Sequence, residues 1–174
     1  MKLNQYKELA INTMKEMPHS EQQVHLTLGI NGEFLSEVAP ILSGGTINKG
    51  HLEEELGDVM WYVGCYAKIN DLELRAYPTP PIDSVGKIIG DFTEASKKEW
   101  VYGKEFSNKK KEQYIQQIVF WINHICNQFS IDFANMLALN IEKLQKRFPN
   151  KFDADKAINK DSASEEKLFN KNEV

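Results

Sequence analysis

The sequence has few of the residues that interrupt regular structure. Six prolines and ten glycines among 174 residues are too few for a chain dominated by turns. No segment alternates between apolar and polar residues for long enough to predict a strand. The scarcity of both signals argues against a protein built from hairpins and favours a helical one.

Cysteine is also scarce, and long apolar runs are absent. Cys65 and Cys126 stand alone in separate apolar, helix-like segments, which favours two reduced core thiols over a disulfide. No apolar run approaches the roughly 20 residues that a membrane span needs. No N-terminal segment combines a charged start, an apolar run and a small-residue cleavage site. We therefore predict a cytoplasmic protein that does not bind membranes.

The chain lacks an excess of basic residues. Lysine and arginine number 21 against 25 acidic residues, so the formal net charge is −4. This balance gives no general electrostatic attraction for a nucleic-acid backbone, and we predict no nucleic-acid partner. A small anionic ligand would need a local cationic patch or a metal ion.

Helical periodicity is what the sequence does have. Pro40 must kink or shorten the second predicted helix, because proline has no backbone N–H to donate. The stretch 153–174 is polar and is predicted to be a mobile or weakly docked tail. The rest, residues 1–152, is predicted to form a single all-α domain. Its helices are predicted over residues 3–17, 21–42, 50–70, 83–102, 109–129 and 132–148.

Two segments of the chain recur at nearly the same spacing. Residues 32–34 are echoed by residues 90–92, which lie 58 positions later, and residues 56–63 are echoed by residues 115–122, 59 positions later. Both echoes fall on predicted helices, although apolar patterns of helices also agree by chance. We interpret the domain as a helical bundle of two diverged repeats, covering about 22–75 and about 82–150.

Acidic residues cluster on the second and third predicted helices. Glu55 and Asp58 are three residues apart, so they are neighbours on one helical face, whereas Glu54 is predicted to point towards solvent. Glu33 lies at the edge of the apolar stripe of its helix, and Glu37 falls nearly within it. A carboxylate facing a core is costly unless it is paired, protonated or bound to a cation. If the two helices pack antiparallel, four acids face one another, and their oxygen atoms suit Mg²⁺ or Mn²⁺. Acids near a helix start also simply suit the helix dipole.

Two motifs together resemble a known family. Residues 54–63 read Glu-Glu-Leu-Gly-Asp-Val-Met-Trp-Tyr-Val, and residues 140–149 contain Asn-x-x-Lys-Leu-x-x-Arg followed by proline. Over roughly residues 3–158 the chain resembles the MazG-like family of all-α nucleoside triphosphate pyrophosphohydrolases. That family carries Glu-x-x-Glu on one helix and Glu-x-x-Asp on the next.

The chain departs from the family pattern in both repeats. In the first repeat, Ser36 stands three residues after Glu33, with Glu37 beside it as a substitute. In the second repeat the first motif reads Asp91-x-x-Glu94. The two positions that match Glu55 and Asp58 are there occupied by Tyr114 and Gln117. The chain therefore resembles a fused pseudo-dimer with one acid site.

The resemblance implies a reaction and a set of residues for it. Water attacks the α-phosphorus of a nucleoside triphosphate and releases pyrophosphate and a nucleoside monophosphate. The implied catalytic residues are Glu37 and Glu55. The implied Mg²⁺ ligands are Glu33, Glu37, Glu55 and Asp58. An alternative metal set adds Asp91 and Glu94 to Glu55 and Asp58. The candidate nucleotide-binding residues are Lys97, Lys104, Asn140, Lys143 and Arg147.

Three further expectations remain open at this stage. Trp61 and Trp121 occupy adjacent aligned positions, where they either stack on a base or pack in the core or an interface. Relatives usually assemble, so a homodimer is expected. The rival function is a catalytically degenerate relative that binds nucleotide or a partner protein without turnover, which Ser36, Tyr114 and Gln117 favour.

Overall fold

A computed structural model of the chain describes residues 1–149, 152–159, 165, 168 and 169. These residues are mostly helical and contain no strand, so the predicted all-α class is confirmed. In the described part of the chain, no helix is long and apolar enough to cross a membrane. The helices are α1 (Leu3–Ala10), α2 (His19–Gly32), α3 (Ala39–Ser43), α4 (Lys49–Ile69), α5 (Val85–Tyr102), α6 (Asn108–Gln128), α7 (Phe133–Arg147) and α8 (Ala154–Ile158).

Helix α4 is the centre of the bundle and packs against α1, α2, α6 and α7. Helix α5 packs against α2 and α6, so α2, α4, α6 and α5 form a ring of four contacting helices. The apolar stripe predicted for α4 is buried, with each member at most 1% exposed. Burying side chains of this size contributes roughly 1.5–3 kcal/mol each, which places α4 as the core element. The stripe consists of Leu52, Leu56, Val59, Val63 and Tyr66.

Helices α4 and α6 have the same length and the same kind of C-terminus. Each has 21 residues, and their first residues, Lys49 and Asn108, lie 59 positions apart. Each is followed by a residue with positive φ, at Asp71 and Ser130, again 59 positions apart. In both, the backbone amide of this residue and that of the residue after it donate back to carbonyls of the last turn, which is the Schellman arrangement. This agreement supports the two-repeat interpretation, which itself stays a prediction.

The predicted second helix is divided into three parts. Helix α2 ends at Gly32, a π-helical turn follows over Glu33–Val38, and α3 begins at Ala39. Pro40 has no N–H to donate to the carbonyl four residues earlier, which lies within the wider turn. The turn keeps Phe34 and Val38 in the core but leaves Glu37 exposed. The prediction that Glu37 lies nearly within the apolar stripe is therefore wrong, because the stripe does not continue with α-helical periodicity.

The first helix is shorter than predicted. It ends at Ala10 and is followed by a 3-10 turn over Ile11–Thr13. The indole N–H of Trp61 donates to the Ala10 carbonyl (3.2 Å) and to the Thr13 hydroxyl (2.9 Å). A side chain of α4 thus satisfies polar groups at this end, where a helix leaves carbonyls unpaired.

The C-terminal residues that the structure describes are docked. Asp153 caps α8, and the Arg147 guanidinium binds the Glu165 carboxylate through two nitrogen atoms. Leu168 and Phe169 are buried. These contacts dock Glu165, Leu168 and Phe169, and the mobile or weakly docked tail predicted over residues 153–174 stays a prediction. The rest of residues 153–174 lies outside the described residues.

Both cysteines agree with the prediction: Cys65 and Cys126 are buried and free. Asp132 is the N-cap of α7. Its carboxylate accepts a hydrogen bond from the Asn135 amide at 2.9 Å. These local features follow from residue type and spacing alone.

Candidate functional site

The four acids predicted to bind metal line a single cavity of about 510 Å³. Glu33 and Glu37 come from the π-helical turn, and Glu55 and Asp58 come from α4. The turn and α4 are in contact. The volume lies within the range of small-molecule sites in proteins, roughly 300–1,000 Å³. We call this space the acid cavity.

A cation and several aromatic rings complete the acid cavity. Arg147 at the end of α7 lies on its wall, with Phe148 and Phe152 beside it. Trp61 and Tyr62 also line it, with their ring centroids 4.7 Å apart in an edge-to-face arrangement. The cavity therefore combines oxygen donors, one guanidinium and flat apolar surfaces.

Two ring side chains of this cavity, His25 and Tyr62, are among the lining residues that sequence reasoning missed. Tyr62 stands four residues after Asp58, so helical spacing alone places it on the same face. Its ring lies against Gly29 of α2, where an added Cβ would be 2.1 Å from the ring. His25 packs against Tyr62 with a centroid distance of 5.5 Å. The glycine thus lets α2 and α4 approach closely enough to form this wall.

Lys143 provides a positive charge beside Asp58. Its ammonium lies 2.6 and 2.7 Å from the two carboxylate oxygens of Asp58 and 3.3 Å from Glu54, and its side chain is 1% exposed. Glu54 therefore faces Lys143 and not solvent, which corrects the prediction. The reason is that α7 packs across α4, and its register could not be read from the periodicity of α4.

Asn140 is a buried partner of the same carboxylate. Its side-chain amide donates to Asp58 at 2.8 Å, and its carbonyl oxygen accepts from the Tyr6 hydroxyl at 2.7 Å. An added Cβ on Gly57 would lie 3.1 Å from Asn140, so the glycine admits this contact. Tyr6 was not singled out from the sequence, because it lies 134 residues from its partner. Asn140 and Lys143 thus orient Asp58, and neither side chain is free for a ligand as the structure stands.

The electrostatics of the cavity follow from burial and from the clustered charge. Burial raises the pKa of Glu55, and the nearby Asp58 carboxylate raises it further. Burial opposes protonation of Lys143, but the charges of Asp58 and Glu54 outweigh it and raise the pKa. Burial lowers the pKa of His25, and Lys15 adds to the effect, so its imidazole is neutral at pH 7.

The acid cavity offers the kind of ligand atom that a hard divalent cation prefers, but its acidic side chains do not lie close enough together to hold one. Its four acids offer only oxygen, which Mg²⁺ prefers. In the part of the chain that the structure describes, however, no three His, Cys, Asp or Glu side chains are close enough to hold a metal ion. Lys143 already neutralises Asp58, one of the predicted ligands.

The structure does not bring Asp91 and Glu94 together with Glu55 and Asp58. They line a separate cavity of about 280 Å³, in which Tyr114 stands at the position that matches Glu55. Both acids are about half-exposed and form ion pairs with lysines of α5. We call this space the second cavity.

Two predicted cations and one tryptophan also lie away from the acid cavity. Lys104 lines the second cavity, and Lys97 pairs with Glu94 and lines a groove between α2 and α5. The Trp121 indole donates to the Asp83 carbonyl at 3.2 Å. Of the five predicted nucleotide-binding residues, only Arg147 lines the acid cavity directly.

Comparison with known proteins adds no relative. No protein-family model, curated protein or solved structure matches the chain. The likeness to the MazG-like family therefore depends on the motifs at residues 54–63 and 140–149.

Proposed function

We propose that the chain is a Mg²⁺-dependent nucleoside triphosphate pyrophosphohydrolase, which converts a (d)NTP to a (d)NMP and pyrophosphate. The observation that carries this proposal is that Glu33, Glu37, Glu55 and Asp58 line one cavity together with Arg147. The motif resemblance supports the same reaction. An acid-lined cavity alone repels a triphosphate, so the proposal requires a cation among these side chains.

The walls of the acid cavity suggest how a nucleotide is held. The Arg147 guanidinium suits a phosphate group, which it binds through two parallel hydrogen bonds. Trp61 and Tyr62 offer ring surfaces on which a base packs. The Arg147 guanidinium is paired with the Glu165 carboxylate, so a phosphate must displace that carboxylate to bind.

The chemistry is divided between the exposed and the deeper acids. Glu33, Glu37, Glu55 and Asp58 would hold the magnesium ion, which would supply neutralising charge for the triphosphate and a lower pKa for the attacking water. Among the described residues, no hydrogen bond or ion pair reaches Glu37, so its oxygens are free to orient that water. Glu55 takes the proton as the water oxygen bonds to the α-phosphorus, because a raised carboxyl pKa makes a better base. The bond from the α-phosphorus to the bridging oxygen breaks, and pyrophosphate leaves.

A second candidate function is nucleotide binding without turnover. The observation that favours it is the ion pair of Lys143 with Asp58 and Glu54, which places an internal cation on one predicted metal ligand. The loss of the second acid motif in the other repeat points the same way. Under this hypothesis the acid cavity binds a nucleotide, but no pyrophosphate is released.

Release of pyrophosphate from a panel of NTPs and dNTPs, with Mg²⁺ or Mn²⁺, separates the two candidates. We expect metal-dependent turnover that Glu55→Gln lowers by about 100-fold or more. Glu94→Gln changes a half-exposed acid of the second cavity and is the matched control, which should keep full activity.

Failure of the enzyme proposal also has a defined result. If no substrate turns over with either metal, a nucleotide-dependent rise in Tm that Arg147→Met removes supports binding without turnover. Turnover that survives in Glu55→Gln but is lost in Glu94→Gln moves the active site to the second cavity and contradicts the proposal.

A further inference from the structure

A third cavity lies on the other side of α4. It has a volume of about 140 Å³ and is lined by residues of the α4 N-terminus, the α6–α7 connection and the described C-terminal residues. Glu53, which lines it, is two residues from Glu55, so the two side chains point about 200° apart around the helix. The cavity is therefore separate from the acid cavity. We call it the Glu53 cavity.

Glu53 is a buried acid that forms no ion pair with any described residue. Its side chain is 5% exposed, and within the described residues no hydrogen bond or ion pair reaches its carboxylate. A buried carboxylate is costly unless it is paired or bound to a cation. The other acids with little exposure, Glu54, Glu55, Asp58, Glu99 and Glu165, each form an ion pair with a basic side chain.

The neighbours of Glu53 supply further oxygen atoms. One Asp132 oxygen caps α7 by accepting from the Asn135 amide at 2.9 Å, which leaves the other available. Asn135 and Ser130 also line the cavity, and the Ser130 carbonyl accepts a hydrogen bond from Lys49, another lining residue. Among the described residues, neither a histidine nor a cysteine lines it. Two carboxylates, an amide oxygen and a backbone carbonyl are the ligands that Ca²⁺ takes in proteins.

Lys49 is the one basic residue on this cavity among the described residues. Its ammonium donates to the Ser130 carbonyl at 2.7 Å and makes no ion pair with Glu53. Burial raises the pKa of Glu53, the charge of Lys49 lowers it in part, and the Asp132 carboxylate raises it further. Lys49 thus compensates the buried carboxylate only partly and without an ion pair. An added cation inside the cavity compensates Glu53 and competes with this ammonium for the Ser130 oxygen.

We propose that the Glu53 cavity is a site for a hard divalent cation, bound by the carboxylates of Glu53 and Asp132 with oxygen atoms of Asn135 and Ser130. The proposal does not depend on the proposed pyrophosphohydrolase activity, because it uses different residues on a different face of α4. The site adds a cation that ties the α4 N-terminus to the α6–α7 connection.

Calorimetric titration of the full chain with CaCl₂ tests the site. It is carried out with the Glu55→Gln variant as the starting protein, so that the acid cavity contributes least. We expect one binding event, which the added change Glu53→Gln weakens by about ten-fold or more. Glu112→Gln is the matched control: Glu112 lies 59 residues after Glu53 on the equivalent helix and pairs with Gln116. This control should bind Ca²⁺ unchanged.

Two further variants keep the test decisive. Lys49→Met removes the competing ammonium, so Ca²⁺ should bind more tightly. Asp132→Asn keeps a good helix cap but removes one ligand charge, so it should weaken binding even if Glu53→Gln fails to fold. Absence of Ca²⁺ binding, binding unchanged in Glu53→Gln or Asp132→Asn, or weaker binding in Lys49→Met overturns the proposal.

Discussion

At the scale of single residues, Asp58 shows how the acid cavity is organised. Three side chains from two other helices hold it: Lys143 and Asn140 bind it directly, and Tyr6 binds Asn140. Each of these three partners is at most 1% exposed. Such a buried chain of hydrogen bonds stabilises the fold only while every member is satisfied.

The change Tyr6→Phe removes one link of this chain. It leaves the Asn140 carbonyl oxygen unpaired in the core, so we expect the free energy of unfolding to fall by about 1–3 kcal/mol. Urea denaturation measures the loss. Tyr102→Phe, at an exposed tyrosine, is the control and should have no measurable effect. Equal stability of the two variants would mean that the Tyr6 hydroxyl does not support Asn140.

The raised pKa of Glu55 predicts a dependence of stability on pH. A carboxyl whose pKa is raised by folding adds stability below its ordinary value of 4.5, and this contribution is lost as the pH rises through the folded value. The quantity to measure, without metal, is the Tm of Glu55→Gln minus the Tm of the wild type. This difference should be larger at about pH 7.5 than at about pH 4. A difference in Tm that is the same at both values would contradict the assigned shift.

At the scale of elements, close helix contacts depend on small residues that periodicity does not reveal. The approach of α2 to α4 requires Gly29, because an added Cβ would lie 2.1 Å from the Tyr62 ring. The π-helical turn likewise arises where Pro40 interrupts the hydrogen bonding of a predicted α-helix. Both features move side chains of the acid cavity, so its exact shape could not be predicted from the helical pattern.

The change Gly29→Ala tests the contact between α2 and α4. Alanine is the better helix former, but the clash with Tyr62 should outweigh this and destabilise the protein by about 1–3 kcal/mol. Gly90→Ala in α5 is the matched control, because nothing lies within 4 Å of its added Cβ. That control should raise Tm slightly. Thermal unfolding of both variants gives the answer, and a stabilising Gly29→Ala would contradict the described contact.

The C-terminal residues supply a second prediction at this scale. Since the Glu165 carboxylate binds Arg147, it competes with a substrate phosphate for the same guanidinium. For the proposed enzyme, Glu165→Gln should lower KM and leave kcat nearly unchanged. Initial rates over a range of NTP concentrations measure both constants. A higher KM would mean that Glu165 positions Arg147 for substrate and does not compete with it.

At the scale of the whole molecule, features that depend on local residue spacing could be predicted from the sequence, whereas contacts between distant residues could not. The all-α class, the buried stripe of α4 and the pairing of Glu55 with Asp58 follow from spacings of three and four residues, whereas Glu37 lines the acid cavity from the π-helical turn. The contact of Lys143 with Asp58 joins residues 85 positions apart, and no local spacing encodes it. The sequence therefore indicated which acids face the cavity but not that an internal ammonium binds one of them.

Helices α4 and α6 are alike in length and ending but differ in the residues that they place in the two cavities. Helices α4 and α6 match in length and ending, yet Tyr114 stands in the second cavity where Glu55 stands in the acid cavity. The comparison of the predicted repeats indicates that the Glu55 and Asp58 pair is kept in the first and replaced by Tyr114 and Gln117 in the second. The homodimer and the cytoplasmic location stay predictions.

The most direct test of the account is the rate of pyrophosphate release from dUTP, dCTP and the other nucleoside triphosphates at saturating Mg²⁺. The account predicts turnover by the wild-type chain, its loss in Glu55→Gln and its retention in Glu94→Gln. No release from any nucleotide, or equal release by wild type and Glu55→Gln, would contradict the claim that the acid cavity is a pyrophosphohydrolase active site.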